Sequence, residues 1–446
     1  MTELPLETDA SLVPGGAASL KRLLLLTGSA FFVLAAEPLY LLVDTAVVGH
    51  LGARQLAALG VGGVLISVLV TMGSFVEYGT TSRAARWFGA GDTPAALREG
   101  VQASWLSLYI GVATVVLGEI FAGPFTVWLA GGHGAEQRAA ESWFRISVIS
   151  LPCLLLVMAG NGWMRGVQRT REPVVIVLVM YVFAAGGSPL FVYGFGMGLQ
   201  GSAWANLIGE AIGALLFVIA LLRASREWQP HPVVMRAQLL MARDLVVRAA
   251  GFQGSFLVAA SVAARMGTAQ IAAHSAGMQL WEFTALVLDS FAIAAQSIVG
   301  AALGGGDAAV ARHTAWRVAR FGLWAGVAFG VIFAAGWIVI PEIFSPSHAV
   351  QHQMHLLWPW FVGMMPVAGI LFALDGVLIG AGDMAFLRNI TAAGALGFIP
   401  LSLLALHWHW GIGGVWAGLV LFILIRFAGM YLRARGDRWL VLGARA

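Results

Sequence analysis

The stretch that decides the fold runs from residue 38 to residue 51 and reads PLYLLVDTAVVGHL. It belongs to an apolar segment that begins near Leu23 and carries two acids, Glu37 and Asp44. A charged side chain at the centre of a bilayer costs roughly 2.5–3.5 kcal/mol, so such an acid is neutralised, paired or turned toward a wet cavity. The two acids lie about two helical turns apart, close to one face. Pro38 stands between them and removes a backbone hydrogen bond, so we expect the helix to bend there. A bendable helix with titratable groups on one side is typical of transport proteins.

The composition indicates a membrane protein. The 446 residues are 59% hydrophobic and 11% charged, with a mean hydropathy of +0.83, which is more apolar surface than a soluble core can hide. The arginines fall in short loops, so we do not expect nucleic-acid binding. Cys153 is the single cysteine, which excludes an intramolecular disulfide and argues against a cysteine-based metal site. Residues 1–20 lack the basic start and cleavage site of a signal peptide and are interpreted as a cytosolic tail.

Twelve apolar stretches are long enough to cross a bilayer. Their approximate bounds are 22–49, 56–82, 99–123, 137–162, 173–194, 202–223, 244–265, 270–300, 313–340, 350–380, 386–408 and 411–432. Of the basic residues, 21 fall on one side of these spans and four, Arg54, Arg138, Arg145 and Arg265, on the other, while Arg426 lies inside the last span. This positive-inside bias predicts that both termini are cytosolic. The use of 25 arginines and a single lysine is typical of a GC-rich bacterial genome, so we expect the plasma (inner) membrane of a bacterium.

The chain is an internal duplication. The longest polar stretch separates spans six and seven, so we predict an N-lobe over 21–223, a cytosolic linker over 224–243, a C-lobe over 244–433 and a cytosolic tail over 434–446. LGARQLAA at 51–58 resembles MGTAQIAA at 266–273, and GAGD at 89–92 resembles GGGD at 304–307, both 215 positions later. At an offset of 214, Pro152 falls on Pro366 and Gly166 on Gly380. Matches in one order at a near-constant offset indicate a repeat.

The repeat predicts the architecture. Six spans are an even number, so both halves enter the membrane from the same side and are related by an axis along the membrane normal. We therefore expect an all-α membrane protein of twelve transmembrane helices in two pseudo-symmetric six-helix lobes. A substrate site is expected between the lobes, as in a rocking transporter.

Several motifs resemble those of MATE (multidrug and toxic compound extrusion) transporters, in particular their DinF-like branch. They are PL, LVDTAV and GHL at 38–39, 42–47 and 49–51, TT and FGA at 80–81 and 88–90, LDSFA at 288–292, and LDG with IGA at 374–376 and 379–381. The resemblance covers nearly the whole chain. It implies an exporter that alternates between two conformations and drives amphipathic, often cationic organic compounds outward with a proton or sodium gradient.

Asp44 matches the first-helix acid that takes the coupling cation in this family. A carboxylate in a poorly solvated cavity can take up and release protons near neutral pH, and its protonation removes its attraction for a cationic substrate. Where relatives with a sodium-type site carry Asn and Asp in span five, this chain has Ala184 and Ser188. We therefore expect proton coupling rather than sodium coupling, and fewer polar partners for Asp44. Glu37 and Glu77 are additional acids, and we predict that Glu77 partly replaces the missing ligands of Asp44.

The second half carries further candidates for a substrate or second-lobe polar site. They are Glu282 and Asp289 in span eight, Asp375 in span ten, and Asn161, the repeat counterpart of Asp375. Any of them could instead bond a neighbouring helix. Glu119 and Glu210 are expected near a membrane surface or in local pairs. We expect no catalytic residues, no metal site, no organic cofactor and a monomer that contacts only small substrates and lipid.

Two functions other than drug export are compatible with an apolar chain of this length: a flippase and a membrane-embedded enzyme. A flippase for lipid-linked precursors or polysaccharides of the same superfamily would present basic residues to a central cavity, because its cargo carries phosphates. The basic residues here are expected in loops, which favours cationic cargo. A membrane-embedded enzyme is disfavoured because no His-Glu-x-x-His, Gly-x-Ser-x-Gly or clustered metal-binding acids occur within a span.

Overall fold

The computed structural model describes residues 20–444, and in this range the chain forms fifteen α-helices. Those before the predicted linker are α1 Leu20–Gly49, α2 Ala53–Gly73, α3 Phe75–Gly89, α4 Thr93–Ala130, α5 Ala135–Ile149, α6 Leu151–Gly166, α7 Arg171–Pro189 and α8 Leu199–Ala224. Those after it are α9 Pro232–Met266, α10 Thr268–Gly304, α11 Ala308–Ala335, α12 Val339–Phe344, α13 His348–Gly380, α14 Met384–His407 and α15 Gly411–Arg435. A π-helical turn, Leu190–Gly194, continues α7.

Twelve spans account for all of these helices except the six-residue α12. Eleven stretches of the described chain are long and apolar enough to cross a membrane, and α2 with α3 forms one of them. The twelfth is α5 with α6, which meet at Ser150 at an angle of 45°. Large apolar side chains along the spans are exposed, as at Leu42 (68%), Leu257 (71%) and Leu396 (72%), which suits contact with lipid. The predicted all-α fold with two six-span lobes is confirmed.

The boundaries between the lobes and at the C-terminus differ from the sequence prediction. The segment predicted as linker, 224–243, is non-helical only from Ser225 to His231, because α9 begins at Pro232, a position where proline is preorganised for a helix. The linker is also attached to α4. Gln102 Nε2 donates to the carbonyl of Gln229 (2.9 Å), and Trp105 Nε1 donates to that of Trp228 (2.8 Å). The tail predicted over 1–20 lies outside the described residues except for Leu20.

The two lobes repeat each other in local geometry. Asp92 caps α4 by accepting a hydrogen bond from the backbone N–H of Ala95 (2.9 Å), and Asp307 caps α11 in the same way through Val310 (2.8 Å). The glycines before these two caps both have φ = +81°, a conformation that favours glycine. The sequence duplication is therefore also a structural one.

The lobes meet most closely at one side of the membrane, the side where α1 begins and α15 ends, which we call the terminal face. There α3 crosses α10, and Gly89 lies so close to Ala301 that a Cβ atom would overlap the Ala301 carbonyl. Gly304 lies equally close to the carbonyl of Arg86. The pairs 86–301 and 89–304 are each separated by the repeat offset of 215, so this contact is two-fold symmetric. The close packing closes the terminal face.

The C-terminal segment after α15, residues 436–444, lies across this closed face. Trp439 is buried, and Asp437 forms an ion pair with Arg312 at the start of α11. The backbone N–H of Gly443 donates to the carbonyl of Leu303 (3.0 Å). From the N-lobe, Arg86 donates to the carbonyls of Val441 (3.0 Å) and Gly443 (2.8 Å). The described part of the predicted tail is thus a packed strap that joins both lobes.

Candidate functional site

Asp44 lies in a closed polar pocket of the N-lobe. Its side chain is buried (3% exposed), and its two carboxylate oxygens accept hydrogen bonds from Ser188 Oγ of α7 (2.6 Å) and Ser202 Oγ of α8 (2.8 Å). Trp143 Nε1 in turn donates to Ser202 Oγ (3.2 Å), which fixes the direction of that hydroxyl. Each serine donates its single hydroxyl hydrogen bond to Asp44, so the polar groups of the pocket are arranged to stabilise a carboxylate.

The helix that follows Asp44 is also anchored. Tyr193, in the π-helical turn, donates to the carbonyl of Val47 (2.5 Å), so the ends of α1 and α7 are tied together. We predicted that span five would offer Asp44 fewer polar partners, and this applies to Ala184 but not to Ser188. Ala184 contributes no polar group and packs against Gly209, whereas Ser188 provides the shorter of the two hydrogen bonds to Asp44.

Glu37 lies two turns from Asp44 on α1 and is exposed. Within residues 20–444 its carboxylate has no hydrogen-bond partner, but Glu77 and Glu210 are close enough for their charges to interact with it. α1 is helical throughout, including Pro38, so the proline does not end the helix in this conformation.

Glu77 does not replace the ligands of Asp44. It forms an ion pair with Arg165 at the end of α6, and Arg165 is buried (5% exposed). The Arg165 carbonyl accepts a hydrogen bond from Ser297 Oγ of α10 (2.7 Å), so this pair lies at the contact between the lobes. A buried guanidinium without a counter-charge destabilises the fold. The main role of Glu77 is therefore to neutralise the charge of Arg165.

Asp289 joins the two lobes. Its carboxylate accepts a hydrogen bond from the hydroxyl of Tyr78 on α3 (2.9 Å), next to Glu77 in the sequence. The backbone carbonyl of Tyr78 accepts a hydrogen bond from Gln296 Nε2 (2.6 Å). Gln296 lies about two helical turns after Asp289 on α10. Both bonds must break if α3 and α10 separate.

Asp375 is held by two arginines. It forms ion pairs with Arg248 of α9 and with Arg426 of α15, the latter at 3.3 Å. The Arg426 guanidinium lies 4.2 Å from the ring centroid of Phe252, and that of Arg248 lies 5.3 Å from the same ring. Cation–π contacts of this kind stabilise guanidinium groups in apolar surroundings.

The expectation that basic residues stay in loops is wrong for Arg165 and Arg248, which lie between helices as Arg426 of the last span does. They project between helices because each has a carboxylate partner there. Together with Glu77, Asp289 and Asp375 they form what we call the central charge cluster, in which Asp289 interacts electrostatically with Asp375, Arg248 and Arg165. Three guanidinium groups face three carboxylates, so the cluster has no large surplus of either sign.

The remaining predicted residues lie apart from these groups. Glu282 is exposed and accepts no hydrogen bond within residues 20–444. Asn161 is buried, and its Oδ1 atom has no partner among the described residues. Among the residues that the structure describes, no three histidine, cysteine, aspartate or glutamate side chains are grouped as metal ligands.

Sequence reasoning missed Ser202 and the roles of the three arginines. A serine in an apolar span carries little signal by itself, because small polar residues also serve helix packing. Arg426 did carry a signal, since an arginine inside a span requires a partner. Its nearest acid in space, Asp375, is 51 positions away in the sequence, so the pair could not be read from spacing.

Comparison with known proteins identifies the family. The MatE family profile matches residues 29–190 and 245–404, one stretch in each lobe. The chain is 31% identical to DNA damage-inducible protein F of Escherichia coli over 405 residues, which cover 87% of this chain and 86% of the relative. It is 28% identical to Protein DETOXIFICATION 44, chloroplastic, of Arabidopsis thaliana over 93% of this chain and 82% of that protein.

Solved structures show the same fold. A transporter of the MOP superfamily from Pyrococcus furiosus superposes with a TM-score of 0.85 at 19% identity, over 93% of this chain and 95% of that one. A crystal structure of MATE in the bent conformation gives 0.87 at 18% identity, over 94% and 95%. With twelve apolar spans, two repeated lobes and a buried acid in the first helix, the chain belongs to the MatE family and is a multi-pass membrane transporter rather than an enzyme.

Proposed function

We propose that the protein is a proton-coupled antiporter that exports amphipathic, often cationic organic compounds, and that Asp44 binds the coupling proton. The observation that carries this proposal is the Asp44 pocket. A buried carboxylate there has two serine hydroxyls as partners and no basic side chain among the described residues that contact it. Such a group is free to exchange a proton, whereas an acid paired with arginine is not.

Sodium is the less suitable coupling ion for this pocket. A sodium ion needs several oxygen ligands, and Ala184 supplies none at the place where sodium-type relatives carry a polar side chain. The serines supply two hydroxyl oxygens, but both already point their protons at Asp44. A proton needs only the carboxylate itself.

The direction of transport follows from the charge distribution. We propose that the terminal face is cytosolic, in the plasma membrane of a bacterium, because 21 of the 26 basic residues belong to that side. The structure then represents the conformation closed to the cytosol. Related MATE structures occur in a bent and in a straight conformation, and we propose that α1 bends at Pro38. The protein is proposed to act as a monomer.

The cargo is proposed to be cationic rather than phosphate-bearing. The three arginines of the central charge cluster would favour a phosphate only if their charge were free, and each of them is paired with Glu77 or Asp375. Glu37 of the N-lobe, in contrast, is exposed and has no hydrogen-bond or ion-pair partner within the described residues, so its charge is available to a cationic cargo. Two relatives of similar length are named as probable multidrug resistance proteins, which suits such a cargo.

Ion specificity can be tested in proteoliposomes loaded with a fluorescent organic cation. We expect an imposed proton gradient to drive efflux and an imposed sodium gradient at equal pH to leave it at the rate of protein-free vesicles. Efflux driven by sodium alone would refute the proton assignment. Efflux of an anionic dye but not of the cation would refute the proposed cargo.

A further inference from the structure

Glu210, on α8, is a buried acid to which the mechanism above gives no role. It is 6% exposed, and its Oε1 atom accepts a hydrogen bond from Asn206 Nδ2 (2.8 Å). Its Oε2 atom has no donor among the described residues. The Ser150 hydroxyl also interacts with the carboxyl group, but at hydrogen-bond geometry it donates to the carbonyl of Ser147 (2.8 Å). In the described part of the chain, Asn206 is therefore the one donor at full hydrogen-bond geometry for the two carboxyl oxygens of Glu210.

Within residues 20–444, no basic side chain interacts with Glu210. The titratable groups that interact with it are Glu37 and Tyr40 of α1, Cys153 of α6 and Tyr181 of α7. All of them are neutral or negative. An ionised carboxylate in such a place would be buried with one hydrogen bond and an acidic neighbour, whereas a proton on Oε2 removes the charge.

The Asp44 pocket provides the contrast. Ser202, Asn206 and Glu210 follow one another at intervals of four residues, so they lie along one face of α8. Ser202 directs its proton to Asp44, and Asn206 directs one of its protons to Glu210. At hydrogen-bond geometry Asp44 thus has one donor for each of its two carboxylate oxygens, whereas Glu210 has a donor for Oε1 only within residues 20–444. Two acids in differently built environments differ in how tightly they hold a proton.

We propose that Glu210 is a second proton-binding site of the N-lobe, occupied in the conformation closed at the terminal face and exchanged during transport. Glu37 lies on α1 two turns from Asp44 and interacts electrostatically with Glu210, so a charge on one disfavours a charge on the other. A proton that leaves the Glu210 carboxyl group is taken up by water. This proposal rests on the proposed proton coupling and adds a second site to it.

Infrared difference spectroscopy can detect the proton directly. Spectra of the purified full-length protein, recorded at two pH values on either side of neutrality, are compared for the wild type, Glu210→Gln and Glu119→Gln. We expect a carbonyl stretching band of a protonated carboxylic acid that is lost in Glu210→Gln and kept in Glu119→Gln, whose carboxylate is paired with Arg145 (2.5 Å). A spectrum unchanged by Glu210→Gln would overturn the proposal.

Proton counting tests whether this proton is exchanged. In proteoliposomes with an internal pH dye, we expect Glu210→Gln to lower the number of protons moved per substrate by about one while transport continues, because Asp44 is intact. An unchanged proton-to-substrate ratio would show a static proton and would also overturn the proposal. Full transport by Asp44→Asn would instead refute the proposed function, and the infrared band of Glu210 would be unaffected by that result.

Discussion

At the scale of single residues, the pocket of Asp44 depends on two hydroxyl groups. Replacing Ser188 or Ser202 with alanine removes one hydrogen bond to a charged acceptor, which contributes about 1.5–3 kcal/mol. We expect each variant to reduce proton-driven efflux by roughly tenfold or more, and the double variant to approach the level of Asp44→Asn. Initial efflux rates in proteoliposomes measure this. Ser188→Thr and Ser202→Thr keep the hydroxyl and should keep most activity, and equal losses in the alanine and threonine variants would contradict the account.

The Glu77–Arg165 pair makes a prediction about stability. Glu77→Gln leaves a buried guanidinium without its counter-charge, and breaking a buried pair from one side costs about 3–5 kcal/mol. We expect a marked drop in thermal unfolding temperature in detergent. The double variant Glu77→Gln with Arg165→Met should recover most of that loss, because it removes both charges. If Glu77→Gln unfolds at the wild-type temperature, the pair does not neutralise Arg165 as the structure indicates.

Sequence reasoning reached the acids more easily than their partners. Asp44 was identified because an acid in an apolar span is costly wherever the helix packs. Ser202 lies 158 positions later in the sequence, and its bond to Asp44 exists only because α1 and α8 both pack against α7. Arg165 was assigned to a loop because it ends a span, and the folded chain turns it inward to Glu77. Composition predicts which residues need partners, and three-dimensional packing decides which ones they find.

At the scale of helices, the crossing of α3 and α10 controls closure of the terminal face. A side chain at Gly89 or Gly304 would overlap a carbonyl of the other lobe. We expect Gly89→Val or Gly304→Val to hold the lobes apart and to shift the population toward the conformation open at this face. Distances between spin labels on the two lobes measure the shift. Gly63→Ala is the matched control, because no atom lies within 4 Å of its Cβ position. A distance distribution identical to that of the wild type would contradict a role for this crossing.

The strap after α15 supports the same closed state. Truncation after Gly436 removes the Val441 and Gly443 carbonyls from Arg86, together with the buried side chain of Trp439. We expect the truncated protein to insert and to transport, but with a larger population open at the terminal face, measured with the same spin labels. The sequence predicts a cytosolic tail here, although WLVL at 439–442 is apolar and is the available signal for a packed contact. A truncated protein with unchanged label distances would show that the strap only covers the interface.

At the scale of the whole molecule, the duplication made the fold predictable. Hydropathy placed the twelve spans, and the repeat offset placed their partners in the second lobe. Hydropathy did not predict the break at Ser150, the extension of α9 into the linker or the path of residues 436–444, since these depend on side-chain contacts outside the apolar pattern. The sequence also could not predict whether the terminal face is open or closed, because both conformations have the same hydrophobic pattern.

The central claim is that the Asp44 carboxylate couples proton entry to substrate exit. The most direct measurement is proton-driven efflux of a fluorescent organic cation from proteoliposomes that contain wild-type protein, Asp44→Asn or Glu119→Gln at equal protein content. We predict that Asp44→Asn falls to the rate of protein-free vesicles while Glu119→Gln retains the wild-type rate. Wild-type efflux by Asp44→Asn would contradict the account.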